Sequence, residues 1–280
     1  ILFLEKLLPP NAVRFSSTSS IDYALRIQKA VLPGKENLNN IMGEHFILFK
    51  PHSVVSGDFY WVTKVNQWIV FCVADCTGHG VPGAFMSMLG ISFLNEIVRK
   101  NNVIQANQVL LQLRDLVIES LKQKGLSEEQ KDGMDIAVCA LNREKQELQF
   151  AGANNPFYLI RNKNLQTIEY QRKLENNSKS LYEVKGDKMP IAIHVKMDHF
   201  TNHSIKTEKG DMVYLFLDGY ADQQGGEKGR KFLYKPFKRL LLENSDKSLD
   251  KQKEILDHQF EDWKGENEQI DDVCVMGVKI

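Results

Sequence analysis

The pattern of apolar and polar positions divides the chain into blocks of different period. Ile1–Leu8 reads as a short helix stopped by Pro9-Pro10, and residues 11–20 ("NAVRFSSTSS") as a linker, because a proline pair ends a helix and a serine cluster favours turns. Ser20 is placed to cap a lead-in helix over residues 21–32, whose Ile21, Ala24, Leu25, Ile27, Val31 and Leu32 cover one broad apolar face. From Glu44 the pattern becomes strand-like: "HFILFKP", "DFYWVTKV" and then "QWIVFCVAD", which is apolar on both faces and reads as a central strand. A strongly apolar helix from Pro82 to Lys100 follows. A second runs from Gln105 to Lys124, with Leu110, Leu113, Val117 and Leu121 in register.

Strand patterns resume with "MDIAVCALN", "ELQFAGA", "PFYLIRN" and "LQTIEYQ". The polar stretch Lys173–Lys188 reads as a loop, and "HFTNHSIKT" and "DMVYLFLDG" as further strands. Two helices, the second over Leu249–Trp263, precede a last strand in "DDVCVMGVKI". The order is strands, helix pair, many strands, helix pair, strand. That order predicts an α+β sandwich, an αββα stack of two antiparallel sheets with helix pairs outside, and lacks the alternation of a parallel βαβ fold.

Composition narrows the picture. The 280 residues suffice for one large domain, and equal numbers of acidic and basic residues argue against nucleic acid as the main partner. Cys72, Cys76, Cys139 and Cys274 form no CxxC pair, which argues against structural zinc and for buried, reduced thiols of a cytoplasmic protein. No stretch reads as the about 18–20 apolar residues that span a bilayer, and none as a signal peptide. The chain starts without a methionine, which reads as a piece cut from something longer.

The candidate chemistry lies in aspartates at strand edges. Asp58 opens a strand after Ser56-Gly57, Asp75 closes one before "CTGHG", Asp218 closes "MVYLFL", and Asp271 and Asp272 open the last strand. A carboxylate beside a core strand is costly to desolvate without a compensating positive charge. No lysine or arginine is adjacent to Asp58, Asp75 or Asp218. Either each aspartate receives an arginine from elsewhere, or they share a divalent cation of the hard, oxygen-preferring kind.

"SGDFYW", "VADCTGHGVPGAFMSM", "DGMDIAVCAL", "FAGANNPFYLIR", "YLFLDGYADQQGG" and "QIDDVCVMGV" occur in that order. Together they resemble the SpoIIE-type serine phosphatases, the bacterial branch of the metal-dependent type-2C protein phosphatases. The resemblance runs from about Ile21 to Ile280, leaving residues 1–20 as a coupling segment. It implies hydrolysis of phosphoserine or phosphothreonine on a regulatory protein, such as a STAS-domain anti-anti-sigma factor, by water activated between two Mn2+ or Mg2+ ions. It also implies that Asp75 bridges both ions, that the backbone carbonyl of Cys76 ligates one, and that Asp58, Asp218 and Asp271 complete the set. Asp272 is a weaker candidate, and Asp132 and Asp135 are candidates for a third ion. No side-chain nucleophile is expected. Lys50 is a weak phosphate-binding candidate, and His79 is read as a hydrogen-bonding loop residue. The expected context is a larger signalling chain with an upstream sensor, in the cytoplasm or tethered to a membrane through an upstream region, and a homodimer joined through the lead-in helix. The alternative is a catalytically weak domain acting as an interaction module.

Overall fold

A computed structural model describes residues 10–126, 131–165 and 170–280. The elements run α1 (Pro10–Val31), α2 (Lys35–Met42), β1 (His45–Lys50), β2 (Phe59–Val65), β3 (Trp68–Cys76), α3 (Gly80–Leu94), α4 (Ala106–Ser120), β4 (Met134–Asn142), β5 (Glu147–Ala153) and β6 (Phe157–Asn162). There follow β7 (Gln171–Glu175), β8 (Lys179–Val184), β9 (His203–Lys206), β10 (Met212–Phe216), α5 (Gly219–Asp222), β11 (Gln224–Gly225), β12 (Arg230–Lys231), α6 (Tyr234–Asn244), α7 (Leu249–Lys264) and β13 (Val273–Lys279). One sheet has the order β2-β3-β4-β5-β9, the other β1-β13-β10-β6-β8-β7, and all neighbours within them are antiparallel.

Three apolar layers hold the stack together. Because side chains alternate along a strand, β3 sends Val70, Cys72 and Ala74 toward α3 and α4, and Ile69, Phe71 and Val73 toward the second sheet. The six-stranded sheet repeats the device. Val213 and Leu215 of β10 enter the inter-sheet layer, while Tyr214 and Phe216 pack with Phe237 of α6 and Phe260 of α7. The αββα order predicted from the element sequence is therefore present.

Several sequence expectations need correction. The expected helix over Ile1–Leu8 lies outside the described residues. Residues 11–20 are not a linker: α1 is continuous from Pro10, and Ser20 lies inside it rather than capping it. Proline is tolerated in a first turn, each serine costs a helix only about 0.5 kcal/mol against alanine, and extending a formed helix adds one hydrogen bond per residue. The polar stretch 173–188 holds β8, central enough to bury Leu181, Tyr182 and Val184, and its polar Lys179 pairs with Asp246 at 2.5 Å. Of "LQTIEYQ", residues 166–169 lie outside the described residues. The helix α2 was not legible, since only three of its eight residues, Leu38, Ile41 and Met42, are apolar.

The helix Gly80–Lys100 is, at 21 residues, long and apolar enough to cross a membrane by length and composition, contrary to the sequence expectation. Here it buries Met86, Ile91, Leu94, Ile97 and Val98 in the outer layer of the sandwich. Its end widens into π-type turns over Asn95–Lys100, where Asn95 accepts from Trp61 Nε1 at 3.1 Å and Arg99 donates to Thr63 at 2.9 Å.

The two sheets are tied at one end by a buried ion pair. Arg161 of β6 donates through Nε and Nη2 to the two oxygens of Asp211 at 2.9 and 2.6 Å, and through Nη2 to the carbonyl of Lys206 in β9 at 2.7 Å. Removing one partner of a buried pair strands the other charge. Asp211→Ala is therefore expected to cost about 3–5 kcal/mol in urea denaturation. Asp198→Ala, at the exposed pair with Lys196, should cost less than about 1 kcal/mol.

Candidate metal centre

The strand register puts the sequence's aspartates in one row. Asp75 of β3 lies directly opposite Asp135 of β4. Asp58 precedes β2 by one residue, one step beyond the Phe59–Ala74 pair, and so continues the same row on the other side of Asp75. Side-chain alternation turns Asp75 and Asp135 to the face shared by Val73 and Ala137, the inter-sheet face, at the end of the sandwich. Asp218 and Asp271 arrive from the other sheet, at the exit of β10 and the entry of β13.

Close backbone packing holds these loops together. A Cβ on Gly83 of α3 would lie 2.1 Å from the carbonyl of Gly78 and 2.7 Å from Cα of Gly57. Gly78 and Gly80 have φ of +83° and +65°, which side chains disfavour. The glycines of "CTGHGVPG" thus let α3, the loop after Asp75 and the loop before Asp58 meet backbone to backbone. A Cβ on Gly219 would meet the carbonyl of Asp272 at 2.1 Å, so glycine there lets the Asp218 turn lie on the Asp271–Asp272 segment.

Asp272 proves to have a different task from its neighbour. It is buried, and its carboxylate accepts from the backbone N–H groups of His52 at 2.6 Å, Gly57 at 2.9 Å and Asp58 at 3.3 Å. Both oxygens are committed to holding the loop that carries Asp58. Asp271 uses one oxygen to accept from the N–H of Asp272 at 2.8 Å. Asp135 accepts from Asn154 Nδ2 at 2.8 Å. The backbone hydrogen bond from Thr77 N–H to the carbonyl of Gly133 at 3.0 Å makes Cys76–Met134 the alternate, non-bonded pair. The Cys76 carbonyl consequently points away from β4, toward the Gly57–Asp58 side. Its thiol is buried in the outer layer, where burial pushes its pKa up.

The electrostatics are those of uncompensated negative charge. Burial first, then the charges of Asp218, Asp271 and Asp135, push Asp75 up to about 8, and burial with Asp271 pushes Asp218 up to about 6. Asp58 is raised by burial, then by Asp75, Asp272 and Asp271; Asp135 and Asp271 are raised chiefly by burial. Among the described residues, no lysine, arginine or histidine forms an ion pair with Asp58, Asp75, Asp135, Asp218 or Asp271. Of the two readings left open by the sequence, an arginine for each aspartate is therefore excluded among the described residues.

The donor set fits divalent cations: hard oxygens, buried at Asp58 and half-buried at the others, close enough to repel one another and without an ion-pair partner among the described residues. Among the described residues no three acidic, histidine or cysteine side chains converge on a single point in ligating geometry, so the carboxylates border a shared space rather than one ligation point. A pocket of about 210 Å³ opens beside this space, lined by Asp75, Thr77, Lys131, Gly133, Met134, Asp135 and Pro190. A larger depression of about 720 Å³ runs along α7 and is lined by none of the five carboxylates.

Other residues fall differently from expectation. Lys50 is not free to meet a phosphate, because its Nζ bonds to Asp257 at 2.6 Å and to Glu261 of α7. His79 makes no side-chain cap for α3; its ring packs edge-on against His52 with centroids 5.3 Å apart. Sequence reasoning missed Lys131, His52 and the loop-holding role of Asp272. For Asp272 the available signal was its strand parity, which turns it inward like Cys274.

The architecture is that of a PP2C domain. The chain belongs to the stage II sporulation protein E (SpoIIE) family, whose sequence profile matches residues 66–280. It is similar to the phosphoserine phosphatase RsbU of Bacillus subtilis (strain 168), at 27% identity over 228 residues, and spans 59% of that relative's length. Its fold matches the SiaA-PP2C domain of Pseudomonas aeruginosa with a TM-score of 0.80 and 28% identity, covering 96% of this chain and 99% of that one. It also matches the PP2C phosphatase domain and regulatory fragment of SpoIIE from Bacillus subtilis, with a TM-score of 0.61 and 16% identity over 84% of this chain and 62% of that one.

The raised carboxyls make stability depend on pH with a defined sign. A group that binds its proton more tightly folded than unfolded destabilises the fold as pH rises between its two pKa values. For Asp75 that window runs from the ordinary 3.8 to about 8. Chelator-treated protein should lose melting temperature across it, and Asp75→Asn should flatten that slope. A differential scanning calorimetry series in buffered EDTA measures both.

Proposed function

We propose that this domain hydrolyses phosphoserine or phosphothreonine on a regulatory protein of the STAS, anti-anti-sigma kind, using two divalent cations, Mn2+ or Mg2+. The observation that carries the reading is the uncompensated carboxylate row Asp58–Asp75–Asp135, met by Asp218 and Asp271, on the fold of a family that includes a named phosphoserine phosphatase.

Asp58, Asp75, Asp218 and Asp271 hold the cations, with Asp75 shared because the charges from both sheets act on it. The Cys76 carbonyl, aimed at the same side as Asp58, is a further ligand, and Asp135, with Asp132 beyond it, borders the place for a third ion. Bound there, divalent cations supply Lewis-acid polarisation of the phosphoryl oxygens and acidify water. The Asp272 carboxylate fixes the backbone of the Asp58 loop, and the Thr77–Gly133 bonds fix the end of β3. No thiol is placed to form a phosphoenzyme, since all four cysteines are buried and Cys76 is held in its protonated form.

A protein substrate suits the surroundings. Val54, Val81 and Phe85 are exposed large apolar side chains, Phe85 at 69%. Val54 lies in the loop before Asp58 and Val81 and Phe85 in the first turns of α3, and the two segments meet where Gly83 packs on Gly57, so these apolar side chains border the carboxylate end of the sandwich. The same reading extends to an upstream sensor in a longer chain, to a cytoplasmic location, free or tethered through an upstream region, and to homodimers joined through α1. The exposed stripe Tyr23, Ile27 and Val31 at successive four-residue steps supports the last.

Wild type should release phosphate from a phosphoserine protein only with Mn2+ or Mg2+, and Asp75→Asn should lower the rate by at least about 100-fold. Mn2+ binding without turnover would favour the interaction-module reading instead. Phe85→Glu should reduce kcat/KM for the phosphoprotein by roughly tenfold, the effect of losing about 1.4 kcal/mol, while sparing p-nitrophenyl phosphate. Equal losses on both substrates would remove the rim from substrate recognition.

A further inference from the structure

The loop that carries Asp58 is held from two sides. Asp272 grips the N–H groups of Gly57 and Asp58. On the opposite side stands Gln28 of α1, a residue outside the family match, buried to 5% exposure although its neighbours Ile27 and Lys29 face solvent. Its side-chain amide takes both backbone groups of Ser56: Nε2 donates to the carbonyl at 2.6 Å, and Oε1 accepts from the N–H at 3.0 Å. Nε2 also reaches Ser87 Oγ of α3 at 3.2 Å, and Ser87 in turn approaches the same carbonyl at 3.5 Å. One amide thus joins the lead-in helix, the Asp58 loop and α3.

This pairing is specific to one setting of α1. Only a planar group with a donor and an acceptor side by side satisfies an N–H and a C=O of the same residue. Turning or sliding α1 by one residue would present Ile27 or Lys29 to Ser56. Neither matches that pair, and two buried backbone groups would lose their partners. Ser56 lies two residues from Asp58, with Gly57, packed on Gly78 and Gly83, between them. A displaced Ser56 therefore moves Asp58 relative to Asp75.

We propose that Gln28 is a positioning residue for the metal centre: the docked lead-in helix sets the Asp58 carboxylate through the Gln28–Ser56 pairing. The inference rests on the metal-centre reading above. It gives α1 a part in assembling the site that packing alone would not.

The test uses the full chain and Mn2+ alone. Titration calorimetry measures Mn2+ affinity, calorimetric melting measures stability, and amide exchange in EDTA reads the Ser56 and Gly57 N–H groups. Four variants are compared: Gln28→Met, Gln28→Asn, Leu32→Ala and Asp58→Asn. Leu32 packs on the outer core beside α1 and makes no contact with the Asp58 loop through hydrogen bonds. Both Gln28 variants should weaken Mn2+ binding by about 10-fold or more, the usual effect of removing a group that orients a ligand, and speed exchange at Ser56 and Gly57. Leu32→Ala should keep wild-type Mn2+ affinity at an equal or larger loss of melting temperature. The inference is overturned if Asp58→Asn weakens Mn2+ binding but whichever Gln28 variant folds binds as wild type does. It is overturned equally if Leu32→Ala loses affinity in proportion to its melting temperature, since the effect would then be general loosening. Failure of wild type itself to bind Mn2+ would refute the metal-centre reading.

Discussion

The structure turns on placing carboxylates side by side at the end of two sheets with, among the described residues, no ion pair to answer them. Asp75 faces Asp135 across one ladder, Asp58 continues the row on its other side, and the charges of Asp218 and Asp271 press in from the other sheet. Like charges directly opposite on a sheet oppose pairing, and burial in low dielectric sharpens the repulsion. The rest of the fold is what permits such an arrangement. Three apolar layers supply the stabilisation that the strand ends withdraw, and the loops are locked by backbone contacts that do not depend on the charge state of the aspartates.

How the loops are locked explains the sequence motif with which the site is written. The glycines around Asp75 divide two tasks: Gly78 and Gly80 take positive φ, while Gly57 and Gly83 press on the Gly78 carbonyl at distances that exclude a side chain. Asp272 accepts from three backbone N–H groups of the Asp58 loop, those of His52, Gly57 and Asp58, and Gln28 holds the same loop from the lead-in helix. The loop that carries Asp58 is therefore held by three separate parts of the chain: a helix before residue 32, the strand-loop-helix around Asp75, and the entry to the last strand.

Much of this was legible in the sequence because it follows from periodicity. The alternation in "QWIVFCVAD" and "MVYLFL" fixes which side chains enter which layer, and glycine beside aspartate at a strand end marks a turn that brings a carboxylate near backbone. What was not legible depends on partners distant in the chain. β8 hides behind polar letters because its lysine finds Asp246, Lys50 looks free until α7 packs over it, and the α1 serines look like a linker. The division of labour between Asp271 and Asp272 cannot be seen from "DD" alone. It is decided by which of the two the strand parity turns toward the inter-sheet face.

The contact among Gly57, Gly78 and Gly83 also constrains how this domain can change over evolutionary time. A contact between side chains offers many graded replacements, each shifting geometry a little. A contact between bare backbones offers none, because the smallest addition, one methyl group, already overlaps a carbonyl oxygen. The segments that meet there can be tuned only from their far ends, by residues that shift α3 or the loops as whole bodies. Variation in rate or responsiveness among descendants of this sequence should accordingly accumulate away from the carboxylates, along the outer faces of the helices, while the point of closest approach stays fixed.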